Sequence, residues 1–477
     1  MIGETLNTTR LIEGIQGNLK VELRNATTGK IEDLIESSNF ISMAGVRHLK
    51  HIQRANFFKN GISALNANAD IDNAMPNTHN HIVLTSLTDA PNQSAEWHMH
   101  GKLAGYAGKY TYSGTCNLLG SPNAALSEAT PTYTKWVFDW QTNAGNGAIG
   151  SIGWMNAAST YRGTVSFPGR FYSSCTVQDS KPVSNFYVRL ARSSDSQYFL
   201  ALSGTPTIVV GDSNFAEVSN FTVGTQFKAS TTLTGIAWDA SNNKLWVLGT
   251  NASNAPIIAS YNTSGNLIDG PTTITNRSYR GLTYDGSHLW SIAAVASNSF
   301  TLYKISTNGS DVSNAPVTLP PHEWSGAPGF ASGEFAYGLA YEPSKQLIYV
   351  ATWAYHYSSS NFRAGGGSST DSPHATSSLR AFTTAGEETM VPASLLAYSI
   401  STASSDWLTS LQGTSTSNEF DFDLIGPYQV IMPDRKSTTS SVKRLLLDGM
   451  GSRALLPAPL NKTNAQTMRI TYQMDYI

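Results

Sequence analysis

The chain has 477 residues and a mass of 51.3 kDa, and its 31 Lys and Arg nearly balance 33 Asp and Glu, for a formal net charge of −2. Only 13% of residues are charged and 39 are Gly, a composition that favours strands and turns over long helices, in two or three domains. The near-neutral balance excludes a phosphate-neutralising nucleic-acid binder, and no apolar run reaches the ~20 residues that span a bilayer, which excludes insertion in a membrane as a helix.

The N-terminus, Met1 to Asn7, lacks the apolar core of a signal peptide, so synthesis in a cytoplasm is expected. Residues 18–42 then read as a hairpin. Leu19, Val21 and Leu23 alternate with Lys20 and Glu22, Gly29 lies in the reversal, and Ile31 to Ile35 return. Ser42 is placed to cap a helix over about 42–57, with Val46, Leu49 and Ile52 on one side and Arg47, Lys50 and Arg54 on the other. His81 to Leu87 reads as a strand, and Tyr133 to Trp140 as a longer one with an aromatic face. Ala148 to Trp154 is its partner across an Asn146-Gly147 turn. Cys116 and Cys175 fit no metal spacing and read as buried thiols.

The interior repeats itself. Gly235-Ile236-Ala237-Trp238-Asp239 is echoed by Gly281-Leu282-Thr283-Tyr284-Asp285 and by Gly338-Leu339-Ala340-Tyr341-Glu342. Each copy runs through a polar turn into an aromatic strand (Leu245 to Leu248, Leu289 to Ile292, Leu347 to Val350). A third strand follows in each: Ile257 to Tyr261, Thr301 to Ile305, and Leu395 to Ile400. A period of about 50 residues with several strands per copy is the mark of propeller blades, because one small sheet cannot cover both of its own faces. A degenerate early copy, Tyr187 to Leu202, and a late one, Phe420 to Met432, bring the expectation to about four to six blades. Residues 356–390, rich in Gly, Ser and Thr, read as a long inserted loop.

The last residues alternate again. Met468, Ile470, Tyr472, Met474 and Tyr476 share one face of a terminal strand, which must pair with earlier strands or with a neighbouring subunit. The fold class predicted is mostly β. A β-rich platform is built from residues 1–175, which hold the one helix, and is completed by strands in 436–477; a β-propeller-like domain over 180–435 is inserted between them.

Three stretches, 18–57, 81–156 and 440–477, together resemble tailed-bacteriophage virion proteins. The residues that carry the likeness are Thr28-Gly29-Lys30 with Ser38-Asn39-Phe40-Ile41; Gly120-Ser121-Pro122-Asn123 with Trp136-Val137-Phe138-Asp139 and Ile149-Gly150-Ser151-Ile152-Gly153; and Ser452-Arg453-Ala454-Leu455, Lys462-Thr463 and the Gln466 to Tyr472 strand. The resemblance implies a structural component of the tail, baseplate or fibre, assembled in the host bacterial cytoplasm into the virion. It also implies a homo-oligomer (a trimer or sixfold ring), contacts with other virion proteins, and attachment to a host cell-surface glycan or protein.

Two sets of residues are candidates for ligand contact. Trp324, Trp353, Tyr355 and Tyr357 read as aromatics in long loops, suited to stacking on the C–H face of a sugar. His79, His81, His98 and His100 form His-x-His pairs whose imidazoles share a side on a strand. Similar pairs hold iron in some phage fibres, but no Cys, Asp or third His sits at ligand spacing, so solvent-facing or turn histidines are the plainer account, and no cofactor is expected otherwise. Asp421, Asp423, Asp139 and Glu334 are the carboxylates to weigh for glycoside hydrolysis. No catalytic residue is assigned, because an Asp at a blade edge ordinarily caps a turn. The alternatives to the virion reading are a host-polysaccharide depolymerase or glycosidase, and a free sugar-binding lectin.

Overall fold

The computed structural model describes residues 15–42, 45, 81–92, 98–108, 117–158, 170–183, 185, 187–194, 196–296, 299–310, 317–319, 334–356, 374–390, 393–399, 404–407, 421–425, 429–436, 439–447 and 450–476. The helix expected over 42–57 falls, apart from Ser42 and Gly45, outside these residues. The fold is mostly β, and the chain divides into two compact units: Met1–Ser174 with Asp448–Ile477, and Cys175–Leu447.

The first unit opens with β1 (Ile15–Asn25) and β2 (Ile31–Ile41), an antiparallel hairpin. Its turn forms because the Asn25 side-chain oxygen accepts from the amides of Thr27 and Thr28, while Gly29 takes a φ of 69°. The chain continues through β3 (His81–Thr85), β4 (Leu103–Gly108), β5 (Ser121–Pro122), β6 (Glu128–Ala129), β7 (Tyr133–Trp140) and β8 (Gly147–Ala158).

The second unit is a ring of five groups of strands among the described residues. After β9 (Arg170–Val183), blade 1 consists of β10 (Tyr187–Ser194), β11 (Gln197–Leu202), β12 (Thr207–Gly211) and β13 (Glu217–Thr222). Blade 2 has β14 (Gly235–Asp239), β15 (Lys244–Thr250), β16 (Pro256–Tyr261) and β17 (Leu267–Thr273). Blade 3 has β18 (Tyr279–Tyr284), β19 (Leu289–Ala296), β20 (Ser299–Ile305) and β21 (Val317–Leu319). Blade 4 has β22 (Glu334–Glu342), β23 (Leu347–His356), β24 (His374–Thr383) and β25 (Ala393–Ser399), with β26 (Ser404–Trp407) beyond. Blade 5 has β27 (Asp423–Leu424), β28 (Gln429–Lys436) and β29 (Thr439–Leu447), and its outer strand is β9. The inner strands touch in sequence: β10 beside β14, then β18, β22 and β27, and β27 beside β10 again.

Residues 356–390 are therefore not one long loop. Residues 374–383 form β24, paired with β23 from Leu347↔Thr383 to His356↔His374. Their Ser and Thr content disguised a strand whose regularity comes from the ladder rather than from hydrophobic alternation. The third strand of blade 4 is thus β24, and Leu395 to Ser399 belongs to its fourth.

Period-two alternation explains how the blades stack. Leu245 and Val247 of β15 pack toward Phe199, Ala201 and Ile208 of blade 1, while Trp246 and Leu248 pack toward Leu282 and Leu289 of blade 3. Trp290 and Ile292 of β19 continue the pattern against Leu339, Ile348 and Val350 of blade 4. Each such aliphatic side chain taken fully out of water contributes about 1.5–3 kcal/mol. The repeated motif now has a physical account. The aromatic docks on the preceding blade, as Trp238 stacks on Phe199 at 5.2 Å. The acid ties down its own turn: Asp239 accepts from Ser241 and Asn242, Asp285 from the amides of Ser287 and His288 and from the Trp290 indole, Glu342 from Ser344 and Tyr349.

A second repeated device lies at the turns from third to fourth strand. Gly265, Gly309 and Gly386, with φ of 83°, 87° and 84°, lie against Phe221, Thr272 and Val317 of the preceding blade, leaving no room for a Cβ. Blade 1 departs from this rule: its turn, Asp212 to Ala216, carries Phe215 at a φ of 61°.

The chain then re-enters the first unit with β30 (Met450–Lys462) and β31 (Gln466–Tyr476). The second boundary thus falls after Leu447, later than the 435/436 expected, because β29 pairs with β28 and β9 inside the ring. β31 lies between β1, from Ile15↔Tyr476 to Asn25↔Gln466, and β7, from Met468↔Trp140 to Asp475↔Tyr133. β30 pairs with β8, and β8 with β3. One core joins Leu19, Val21, Leu23, Phe138, Trp140, Ile470 and Tyr472 to Ile82, Ile152, Trp154, Ala454 and Leu456.

Candidate functional site at the ring axis

The inner strands bring unlike residues to the ring axis. Glycine at 235 and 338 permits close approach: a Cβ on Gly235 would lie 2.6 Å from Leu282 Cβ and 2.8 Å from Gly281 C, and one on Gly338 would lie 2.8 Å from Asp421 Oδ1. The first and last blades place Arg189 and Asp421 there instead. Arg189 is 0% exposed; its Nε donates to Thr234 O at 2.7 Å and its Nη1 to Val188 O at 2.9 Å. Asp421 is 1% exposed; its Oδ1 accepts from the Phe422 amide at 3.1 Å, whereas its buried Oδ2 has no hydrogen-bond donor.

A second acid–base pair lies beside the first. The Arg192 amide donates to Asp423 Oδ2 at 3.1 Å, and the Arg192 guanidinium reaches Leu424 O at 3.4 Å. Burial pushes the Asp421 carboxyl up to about 8, against the pull of the Arg189 charge, and the Asp423 carboxyl up to about 6, against that of Arg192. Asp421 is therefore mostly protonated at neutral pH, beside the buried guanidinium of Arg189. Chemically such a carboxyl can hold and release a proton near neutral pH. In the sequence Asp421 and Asp423 read as carboxylates, and no motif singles out Arg189. The available signal was that Arg189 and Asp421 stand where other copies of the repeat have glycine.

The other carboxylates weighed do not join them. Asp139 belongs to the first unit, where its oxygens accept from Arg469 Nε at 2.7 Å, Arg469 Nη2 at 3.1 Å and Asn123 Nδ2 at 2.7 Å. Glu334 begins β22, and its side chain lies outside the described residues.

Of the aromatics read as loop residues, Trp353 and Tyr355 are on β23, in register with Ser377 and Ala375, so for these two the loop placement is corrected. The ladder to β24 extends the strand past the apolar run that marked it in the sequence. Their side chains, and Trp324 and Tyr357 entirely, lie outside the described residues. His79 does too; His81, His98 and His100 are buried at 5%, 1% and 8% exposure, so they are not solvent-facing. His81 sits on a central strand with its ring over Gly108. Among the described residues no three His, Cys, Asp or Glu side chains gather to hold a metal.

Met468, Ile470 and Tyr472 are buried and Met474 packs against the same core, while the Tyr476 backbone pairs with Ile15. Both edges of β31 are occupied within the chain, so it closes this unit's own sheet and does not extend a neighbour's. No described helix is long and apolar enough to cross a membrane.

No family model matches the sequence, and no curated protein does. Solved structures with a similar fold include the PQQ-bound aldose sugar dehydrogenase of Streptomyces coelicolor, at 14% identity and a TM-score of 0.34 over 58% of this chain and 98% of that one. A thermostable family-43 glycoside hydrolase matches at 11% identity and 0.35, over 59% and 96%. The β-propeller domain of Cps50 (Swd1) from Myceliophteria thermophila matches at 8% and 0.26, over 56% and 98%. At such scores the likenesses carry no argument about chemistry; the ring closure described above is what defines the propeller-like domain.

Proposed function

We propose that the protein is a structural component of a bacteriophage virion, of the tail, baseplate or fibre, and that its ring serves attachment to a host-surface glycan or protein. The observation that carries this reading is the joining of segments from before and after the inserted ring into one sheet, β1–β31–β7, as one compact unit. The segments that form that sheet are the ones whose sequence resembles phage virion proteins. Commitment of Asp139 to Arg469 and burial of Asp421 favour a binding and structural role over hydrolysis. Mass spectrometry of purified phage particles should find the chain at a fixed, symmetric copy number with the other virion proteins. Its presence only in the soluble lysate would overturn the reading and favour a free lectin.

One observation favours a polysaccharide-cleaving enzyme instead: a carboxyl held protonated at neutral pH is what a glycosidase needs for its general acid, although its burial means that a substrate would reach it only if the surrounding strands open. Release of reducing sugar from host capsule by the purified protein, abolished in Asp421→Asn, would establish that activity.

A further inference from the structure

Three seams of the ring are closed by apolar packing. Blades 1 and 2 meet through Phe199, Ile236, Trp238 and Val247, blades 2 and 3 through Trp246, Leu248 and Leu282, and blades 3 and 4 through Trp290, Leu302 and Leu339. The seam between the last and first blades is different. Val183, Ile425 and Val442 pack on Leu190, Leu200 and Val209, but ionisable groups stand on both sides of that patch. Toward the axis are Arg189 with Asp421 and Arg192 with Asp423. On the other side Arg444 donates to Tyr198 OH at 2.9 Å and Ser213 O at 2.8 Å, with its guanidinium 5.2 Å from the Phe215 ring centre. β27, the inner strand, is only two residues long; it carries Asp423, and Asp421 lies two residues before it. A two-residue ladder gives little hold of its own, so packing against β10 and β22 must supply the rest.

We propose that the inner strand of blade 5 is a proton-controlled latch: β27 docks on β10 while the carboxyls of Asp421 and Asp423 are protonated and releases from it when they ionise. The charged groups that face Asp421 among the described residues are Arg189 from β10 and Asp423 from β27; the described side of β22 offers Gly338. Asp423 faces Arg192. Arg189 spends two donors on backbone carbonyls, and the Asp421 carboxyl has only the Phe422 and Leu190 amides as donors, with no well-formed hydrogen bond at Oδ2, so an ionised Asp421 is undersolvated in the docked state and regains water by leaving it. The sign follows from linkage. The docked state holds the Asp421 proton more tightly than an open state with an ordinary carboxyl, so raising the pH favours opening.

Amide hydrogen exchange on the full chain from pH 6 to 9, corrected for intrinsic rates, tests this. The Arg192 amide, bonded to Asp423 Oδ2, and the Leu424 amide should lose protection by roughly tenfold per pH unit up to about pH 8. The amides of Trp246 and Trp290, in β15 and β19, should stay unchanged. Asp421→Asn, neutral at every pH, should flatten the response. Equal pH dependence around the whole ring, or none at Arg192 and Leu424 in the unmodified chain, would overturn the proposal whether or not the variant folds.

Discussion

Phe215 is the residue where the repeat breaks its own rule. Three blades have glycine at the positive-φ position of the corresponding turn, and blade 1 has a Phe at 61°. The ring is 3% exposed, packs on Tyr198 at 4.8 Å and faces the Arg444 guanidinium. A bulky side chain in this region is strained, so the strain is tolerated for what the ring covers. Phe215→Ala should destabilise the second unit by about 3 kcal/mol through the lost ring. Phe215→Gly loses the same ring but regains about 1 kcal/mol of backbone strain. Thermal melts should therefore rank the glycine variant above the alanine variant, opposite to the order at an ordinary strand position.

Lys462 in the first unit is the other residue whose environment sets its behaviour. It is 1% exposed, and its Nζ donates to Gln141 O at 2.9 Å and Asn146 Oδ1 at 2.7 Å, with no carboxylate among its hydrogen-bond acceptors. Burial pushes its ammonium down to about 8 from 10.5. Across that window the folded chain binds fewer protons than the unfolded one, so the stability of the first unit rises with pH. The denaturation midpoint of this unit should climb from about pH 8 to 10.5 and be flat in Lys462→Met.

At the scale of elements, β31 decides whether the first unit exists. It is an interior strand, and the register aligns Leu34, Glu22, Arg469 and Asp139 across four neighbouring strands. On that row Glu22 bonds Arg24 at 2.9 Å, and Arg469 makes a two-pronged pair with Asp139. Each partly exposed pair of this kind contributes on the order of 1 kcal/mol, so the buried face with Met468, Ile470 and Tyr472 carries most of the hold. Deleting residues 466–477 should leave the first unit unfolded while the ring stays intact. Limited proteolysis of the truncated chain should then yield a protected fragment close to Cys175–Leu447. Loss of both units together would contradict that independence.

At the scale of the molecule, the ring is built to be inserted. Its outermost residues, Cys175 and Leu447, are partners across the β9–β29 ladder, so the two chain connections leave from one spot about 5 Å wide. A closed ring with adjacent ends needs no scaffold to hold it together. Residues 175–447 expressed alone should fold cooperatively, with the thermal midpoint they show in the full chain; a molten, fully exchanging product would refute this.

The sequence by itself determined the β class, the blade repeat and the two-ended platform, because alternation at period two and a recurring Gly-x-x-aromatic-acid segment are local and each copy restates them. It showed Met468, Ile470 and Tyr472 on one face, but whether β31 closed its own sheet or a neighbour's was left to the pairing of strands hundreds of residues apart. β24 was hidden because its Ser and Thr residues gain strand character only from the ladder with β23. The axial pair was equally out of reach: Arg189 and Asp421 lie at opposite ends of the inserted domain and become buried, with the Asp421 carboxyl pushed up, only when the ring closes. Periodicity is written along the chain, whereas charge environment depends on what the fold brings alongside.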